Sequence, residues 1–248
     1  MLTTNEFFDH AAGFYDEMIH FKDALVRRQE QMVKILPTEK IIIADLGSGS
    51  GLDAITAALA GHTVTCFDLS QNMLEQARRN GEENGVYLQI VQSDIARIDE
   101  AYHNKFDMVI STGNTLSLID KETIDEVFSK MYSLLKSGGT AVVQLLNFEK
   151  ILHAKERIVA LTKKNEHYYL RSYDFHTSHI DFNILRFNGD APAEREMITT
   201  KLFPHMSTEL RAVAKAAGFT EIEIFGGLAK QDYKPEASND ICLILKKI

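Results

Sequence analysis

The chain is poor in cysteine, in basic clusters and in long apolar runs, and each shortage removes a class of protein. Its 248 residues include two cysteines, Cys66 and Cys242. Two cysteines in strand-like apolar segments make neither a disulfide framework nor a metal-ligand set, so both read as buried reduced thiols and no metal is expected. There is no Lys/Arg block, and the net charge is −8. A nucleic-acid binder usually shows a basic face, so RNA or DNA is disfavoured as a partner. No apolar run is long enough to span a membrane, and no signal or lipidation motif stands out, so a cytoplasmic protein without membrane contact is the expectation. What the chain does have is core-forming material. At 45% hydrophobic residues it can build one large domain, or one domain with a cap.

The most informative stretch is residues 41–51, IIIADLGSGSG. An unbroken apolar run of this kind reads as a buried parallel strand. Gly47, Gly49 and Gly51 then let the backbone turn with positive φ and approach a ligand closely. A helix over about residues 53–59 follows, with unsatisfied amides at its start. Pyrophosphate sites use the spacing G-x-G-x-x-G. Here the spacing is G-x-G-x-G with Asp45 two residues ahead, an acid that repels pyrophosphate and suits a ligand carrying an amino group. For the glycines alone, a structural tight turn is the alternative reading.

Two further acids extend the pattern. A second strand within residues 61–70 ends in Asp68, and a third, 87–92, leads to Asp94. An acid at the end of the second strand of a nucleotide fold accepts from both ribose hydroxyls, because a carboxylate offers two oxygens to a vicinal diol. Ser70 is free to cap helix 71–80. Ligands bind outside the carboxyl ends of parallel strands, so Asp45, Asp68 and Asp94 fall along one sheet edge.

The rest of the chain completes the outline. Residues 3–21 carry aromatic side chains at positions 7, 8, 14, 15 and 21 and form either a helix covering a sheet edge or a lid across the ligand. Residues 21–36 read as an amphipathic helix with Leu25, Met32, Val33, Ile35 and Leu36 toward the core, stopped by Pro37. A fourth strand over 105–113, a helix over 121–135 and a glycine turn into a fifth strand follow. Residues 167–175, 180–187 and 196–203 then alternate polar and apolar side chains, giving a three-stranded antiparallel cap. Such insertions shape a substrate pocket. A helix over 207–217, N-capped by Ser207, leads to two last strands, 220–225 and 240–246, joined by a polar, mobile loop. The fold class is α/β: a doubly wound, seven-stranded, mainly parallel sheet with an N-terminal helical lid (1–36), a core (37–147 and 205–248) and a cap insertion (148–204).

ADLGSGSG resembles the first motif of class I S-adenosylmethionine-dependent methyltransferases, and the resemblance extends over most of the chain. STGNTLSLI, LLKSGG, NFEKIL and LFPHMSTEL resemble elements of the small-molecule branch that contains glycine and sarcosine N-methyltransferases. The resemblance implies S-adenosylmethionine as cofactor. It also implies that Asp94 accepts from the adenine amino group, that Leu69 and Ile95 sandwich the base, and that Thr112, Gly113 and Asn114 lie where the methyl points. FYDEM resembles a segment that closes over the cofactor, with Tyr15 at its methionine end or at the substrate. Asn147 would face the substrate, and His205 is the best proton-transfer candidate among His10, His20, His153, His167, His176, His179 and His205. On the residues alone, Asn114 reads equally as a helix N-cap, and each histidine as a surface or structural one.

Two departures bear on the substrate. Leu146 stands where the relatives of glycine type carry an Arg, and Phe203 where they carry a second Tyr. Both remove polar groups, which argues against glycine itself as acceptor. Arg171 and Arg186 either hold a carboxylate or are exposed strand charges. The expected function is methyl transfer to a small molecule by in-line displacement, in a monomer or homodimer. The alternatives are an S-adenosylmethionine-binding protein without methyl transfer, and a tRNA or protein methyltransferase.

Overall fold

A computed structural model describes residues 2–248. The apolar runs become strands β1 (Ile42–Leu46), β2 (Thr63–Asp68), β3 (Gln89–Gln92), β4 (Phe106–Ser111) and β5 (Leu135–Leu146), which pair parallel with one another. The chain then makes a meander of four strands, β6 (Ile158–Lys164), β7 (His167–Phe175), β8 (Ile180–Asn188) and β9 (Arg195–Leu202), before returning to the first sheet as β10 (Glu221–Phe225) and β11 (Asp240–Lys246). The large sheet has the order β10-β11-β5-β4-β1-β2-β3, and β11 runs antiparallel to both neighbours. From β1 the chain winds outward through β2 and β3, then crosses back to β4 on the other side. That reversal opens a crevice at the carboxyl ends of β1 and β4, where open parallel sheets bind ligands.

Helices α1 (Thr4–Ala11), α2 (Tyr15–Ile19), α3 (Phe21–Met32), α4 (Leu52–Leu59), α5 (Gln71–Glu83), α6 (Ile124–Leu134), α7 (Phe148–Ala154) and α8 (Ser207–Ala216) supply the remaining layers. Alternation along a strand sends successive side chains to opposite faces. Ile43 packs with Leu25 and Met32 of α3 and Ile55 of α4, while Ala44 and Leu46 share the opposite core with Phe128 and Met131 of α6 and Leu210 of α8. Each large side chain so buried contributes about 1.5–3 kcal/mol. Covering both faces is what makes the strand read as a continuous apolar run.

The four-stranded cap does not stand alone. Its inner face offers Tyr169, Ile184 and Ile198 to Phe7, Phe14 and Met18 of the N-terminal segment, and Met73 of α5 completes that cluster. Polar contacts close the same seam: the Tyr169 hydroxyl donates to Glu17 at 2.8 Å, and His10 Nε2 lies 2.9 Å from Glu196. Two segments distant in sequence therefore close over one crevice.

Several expectations are corrected. Helix α3 stops at Met32, not at residue 36. The Ile35 and Leu36 amides both fold back onto the Met32 carbonyl ahead of Pro37, and Val33 is 76% exposed instead of buried. The cap has four strands, because β6 also joins it; its burial pattern is almost wholly exposed, so no alternation marks it in the sequence. Ser207 is the first residue of α8, not its cap; Met206 holds that position, and Ser207 bonds to Glu149 instead. The 226–239 loop is tied down: the Asn147 side chain donates to the Pro235 and Ser238 carbonyls, and Leu228 is buried. Among the described residues no helix is long and apolar enough to cross a membrane.

Candidate functional site

The crevice is a cavity of about 1020 Å³, floored by the ends of β1, β2 and β4 and roofed by the N-terminal helices and the cap. The glycine turn is its centre. Gly47 and Gly49 have φ of +71° and +52°, a region that L side chains rarely enter. A Cβ at Gly47 would fall 2.2 Å from Thr115 Cγ2, so the loop after β4 packs directly on it. A Cβ at Gly49 would meet nothing within 4 Å, because that position opens into the cavity. Gly51 does not line the cavity; its Cα faces Ala77 of α5.

Asp68 braces this turn. Its Oδ2 accepts the Gly49 amide at 2.8 Å and its Oδ1 the Ser70 amide at 2.9 Å, which leaves lone-pair capacity on each oxygen. Burial pushes its carboxyl above the usual carboxylate range, against the pull of the Ser70, Gly49 and Leu69 amides. Asp94 also lines the cavity and accepts the Ala96 amide at 2.9 Å. Between them, half-exposed Leu69 and buried Ile95 present apolar surface to the same space. On the far side, Thr112 donates to Asp53 at 2.7 Å and the Gly113 amide to Gln144 at 2.7 Å. Asn114, at φ +74°, makes no capping bond; its Oδ1 accepts the Leu146 amide and joins the loop after β4 to the end of β5.

Besides Gly51, three expected site residues lie behind the cavity wall or away from it. Asp45 shares the strand face of Ile43 and sits under the turn, with Oδ2 buried and without a partner. Burial, with Asp53 and Asp68 adding repulsion, holds its carboxyl well above the usual range against the opposing Arg28. Asn147 is fully buried and holds the 226–239 loop, also accepting from Tyr233. His205 donates through Nε2 to the Ile119 carbonyl at 2.8 Å, and burial lowers its pKa. Of the other histidines named, only His20 lines the cavity. Arg186 is also engaged elsewhere, with Glu196 at 3.4 Å, His167 at 3.0 Å and the face of Phe14.

The roof contains groups of another kind. Tyr15 opens α2 and lines the cavity; burial and Asp16 raise its pKa, with Arg171 and Arg28 opposing, so its hydroxyl keeps its proton. Arg28 and Asp53, both in the wall, pair at 2.7 Å. Arg171 takes part in no ion pair among the described residues, and its Nε is buried without a hydrogen-bond partner. Asp53 was not singled out in the sequence. Its signal was an acid in the first turn of the helix after the glycines, where the helix dipole favours one.

The floor suits a nucleoside carrying an amino acid. The Ser48 and Ser50 hydroxyls line the cavity, buried and without partners, beside the open position at Gly49 and the spare acceptor capacity of Asp68. The methyltransferase domain family model matches residues 43–139, the segment that builds this floor. The chain is an S-adenosylmethionine-dependent methyltransferase. Its cofactor is S-adenosylmethionine. The methyltransferase is 24% identical over 225 residues to a glycine/sarcosine N-methyltransferase of Aphanothece halophytica, covering 90% of this chain and 83% of that one. It is 30% identical over 136 residues to a ubiquinone biosynthesis O-methyltransferase of Rickettsia conorii, covering 52% of this chain and 45% of the relative. A solved S-adenosylmethionine-dependent methyltransferase from Clostridium acetobutylicum shares the fold with a TM-score of 0.76 at 18% identity, over 97% of this chain and 98% of that one.

Proposed function

We propose that the methyltransferase acts on a small-molecule acceptor that bears a carboxylate, held by Arg171, with an amine or hydroxyl as nucleophile. The observation that carries this reading is the uncommitted guanidinium of Arg171 in the cavity roof, beside Tyr15 and Tyr173. A half-buried cation whose Nε lacks a partner carries a desolvation cost, and an anionic ligand offsets it. The apolar neighbours Phe182, Ile184 and Leu202 favour an acceptor larger and less polar than glycine. Relatives named for N- and for O-methyl transfer accord with either nucleophile.

On this reading Asp68 accepts from both ribose hydroxyls, Leu69 and Ile95 flank the adenine, and Asp94 accepts from its amino group. The Gly47 to Gly51 turn lies against the amino-acid end, where Ser48, Ser50 and the Arg28–Asp53 pair supply polar partners in place of Asp45. The bound sulfonium brings an already activated methyl group. The residues around it therefore act mainly by orienting the acceptor, which can be worth about 7–11 kcal/mol of a barrier. Tyr15, protonated, donates a hydrogen bond at the junction of the two ligands.

The test is an acceptor screen in matched pairs, each amine or phenol offered as its carboxylate and as its neutral amide. Carboxylate acceptors should be preferred, and Arg171→Met should lower their kcat/KM on the order of ten- to a hundredfold, the loss of a charged hydrogen bond worth about 1.5–3 kcal/mol. Equal turnover of both members of every pair would overturn the carboxylate reading. Cofactor binding without turnover of any acceptor would favour a binding protein.

A further inference from the structure

The hairpin that joins β7 to β8 turns through His176, Thr177, Ser178 and His179, closed by the His176 amide donating to the His179 carbonyl at 2.9 Å. Asp181, the second residue of β8, points at both imidazoles. His176 Nε2 lies 3.0 Å from Asp181 Oδ2, and His179 Nε2 lies 3.3 Å from Asp181 Oδ1. The two rings stack with centroids 4.6 Å apart and planes 19° from parallel. The ligating atoms of all three residues lie within 4.8 Å of one another.

Three observations together mark this cluster as able to hold an ion. The first is its dimensions. Zinc bonds of about 2.0–2.2 Å at angles of roughly 90–109° put neighbouring ligand atoms about 2.9–3.4 Å apart, and both nitrogen-to-oxygen separations, each to its own oxygen of Asp181, fall in that range. The second is an orphan. Asp181 Oδ1 is buried and accepts no hydrogen bond, although an imidazole nitrogen faces it. The third is support from behind: His179 Nδ1 lies 3.0 Å from Ser178 Oγ. Metal-bound imidazoles make such a contact through the nitrogen that does not bind, and it fixes the ring and its tautomer. In the tautomer that directs Nδ1–H at Ser178, the Nε2 lone pair faces a carboxylate oxygen, and a cation between them relieves that repulsion. Lys201 stands in register with Asp181 on β9, yet among the described residues Asp181 pairs only with the two histidines.

We propose that His176, His179 and Asp181 form a site for a divalent transition ion of the zinc type, with water completing the coordination. Two imidazoles and one carboxylate suit zinc, cobalt or nickel and do not suit calcium or magnesium, which prefer oxygen ligands throughout. None of the three residues lines the ligand cavity. The ion would act as a staple on the turn between β7 and β8, the strands that carry Arg171, Tyr173 and Phe182 into the cavity roof.

The test uses the full-length, tag-free chain after dialysis against a chelator. Titration with Zn²⁺ followed by calorimetry, and with Co²⁺ followed by visible absorption, should show a single ion per chain. His176→Gln and Asp181→Asn should each weaken binding by more than about tenfold, while His153→Gln, at an exposed histidine on α7, leaves it unchanged. His176 is exposed, so its replacement leaves the metal-free fold intact, which circular dichroism checks. Zn²⁺ should raise the midpoint of thermal unfolding in the parent chain and fail to do so in these two variants. The proposal is overturned if millimolar metal gives neither heat nor a Co²⁺ band, or if binding survives both substitutions.

Discussion

On the proposed pose of the cofactor, Asp68 meets two demands that pull in opposite directions. Burial favours its protonated form and raises its carboxyl, whereas two hydroxyl donors from a ribose need the ionised form. A native carboxyl held above its unfolded value stabilises the fold at low pH, and that contribution is lost as pH rises through the native pKa. Cofactor binding has the opposite sign. Affinity for S-adenosylhomocysteine should fall as pH is lowered through a value above the usual carboxylate range, and Asp68→Asn should weaken binding and flatten that profile. Calorimetry from neutral to mildly acid pH checks both; an unchanged profile in the variant would remove Asp68 from the cofactor site. Asp68 was legible because an apolar strand ends on it. Asp45 was equally conspicuous, but strand alternation turns it onto the face of Ile43, under the glycine turn, a distinction that spacing along the chain does not carry.

Among the elements, α3 and α4 are held together by more than packing. Arg28 and Asp53 pair at 2.7 Å with side chains only 14% and 11% exposed, and Asp45 lies close enough for both to act on it. Removing the cation would leave buried acids uncompensated. Arg28→Met should therefore destabilise the chain by about 3–5 kcal/mol, read as a shift in the denaturation midpoint, even though it replaces a charge by an apolar side chain. A double variant, Arg28→Met with Asp53→Leu, should recover much of the loss. The core elements were legible because buried parallel strands and glycine turns leave strong local patterns. Strand β6 was not, since it lies at the cap's edge with Ile158, Val159 and Leu161 all more than two-fifths exposed. Its membership is decided by pairing with β7 across the two-residue turn at Asn165 and Glu166, which carries no glycine to announce a hairpin.

For the whole molecule, the decisive seam runs between the N-terminal helices and the cap. Tyr169 is fully buried, and its phenol is pushed up to about 12 by burial and by the hydrogen bond to Glu17. That bond ties residue 17 to residue 169 across the seam. If the seam opens for ligand exchange, Tyr169→Phe should speed S-adenosylhomocysteine dissociation by roughly tenfold, the scale of one charge-assisted hydrogen bond. Stopped-flow release measures it, and an unchanged rate would show that ligand leaves by another route. The seam itself was only half legible: the aromatic residues of 3–21 announced that the segment must pack, and the partner face on β7, β8 and β9 was supplied by tertiary structure.

The cavity's floor and roof come from separate stretches of chain. The floor is set by backbone amides and glycines, which tolerate little change, whereas the roof is built from side chains on a meander whose strands pair with one another and with no strand of the large sheet. Drift or laboratory selection can therefore rewrite what the roof accepts, residue by residue, without disturbing how the floor is read. A protein built this way evolves by changing its clientele while keeping its currency.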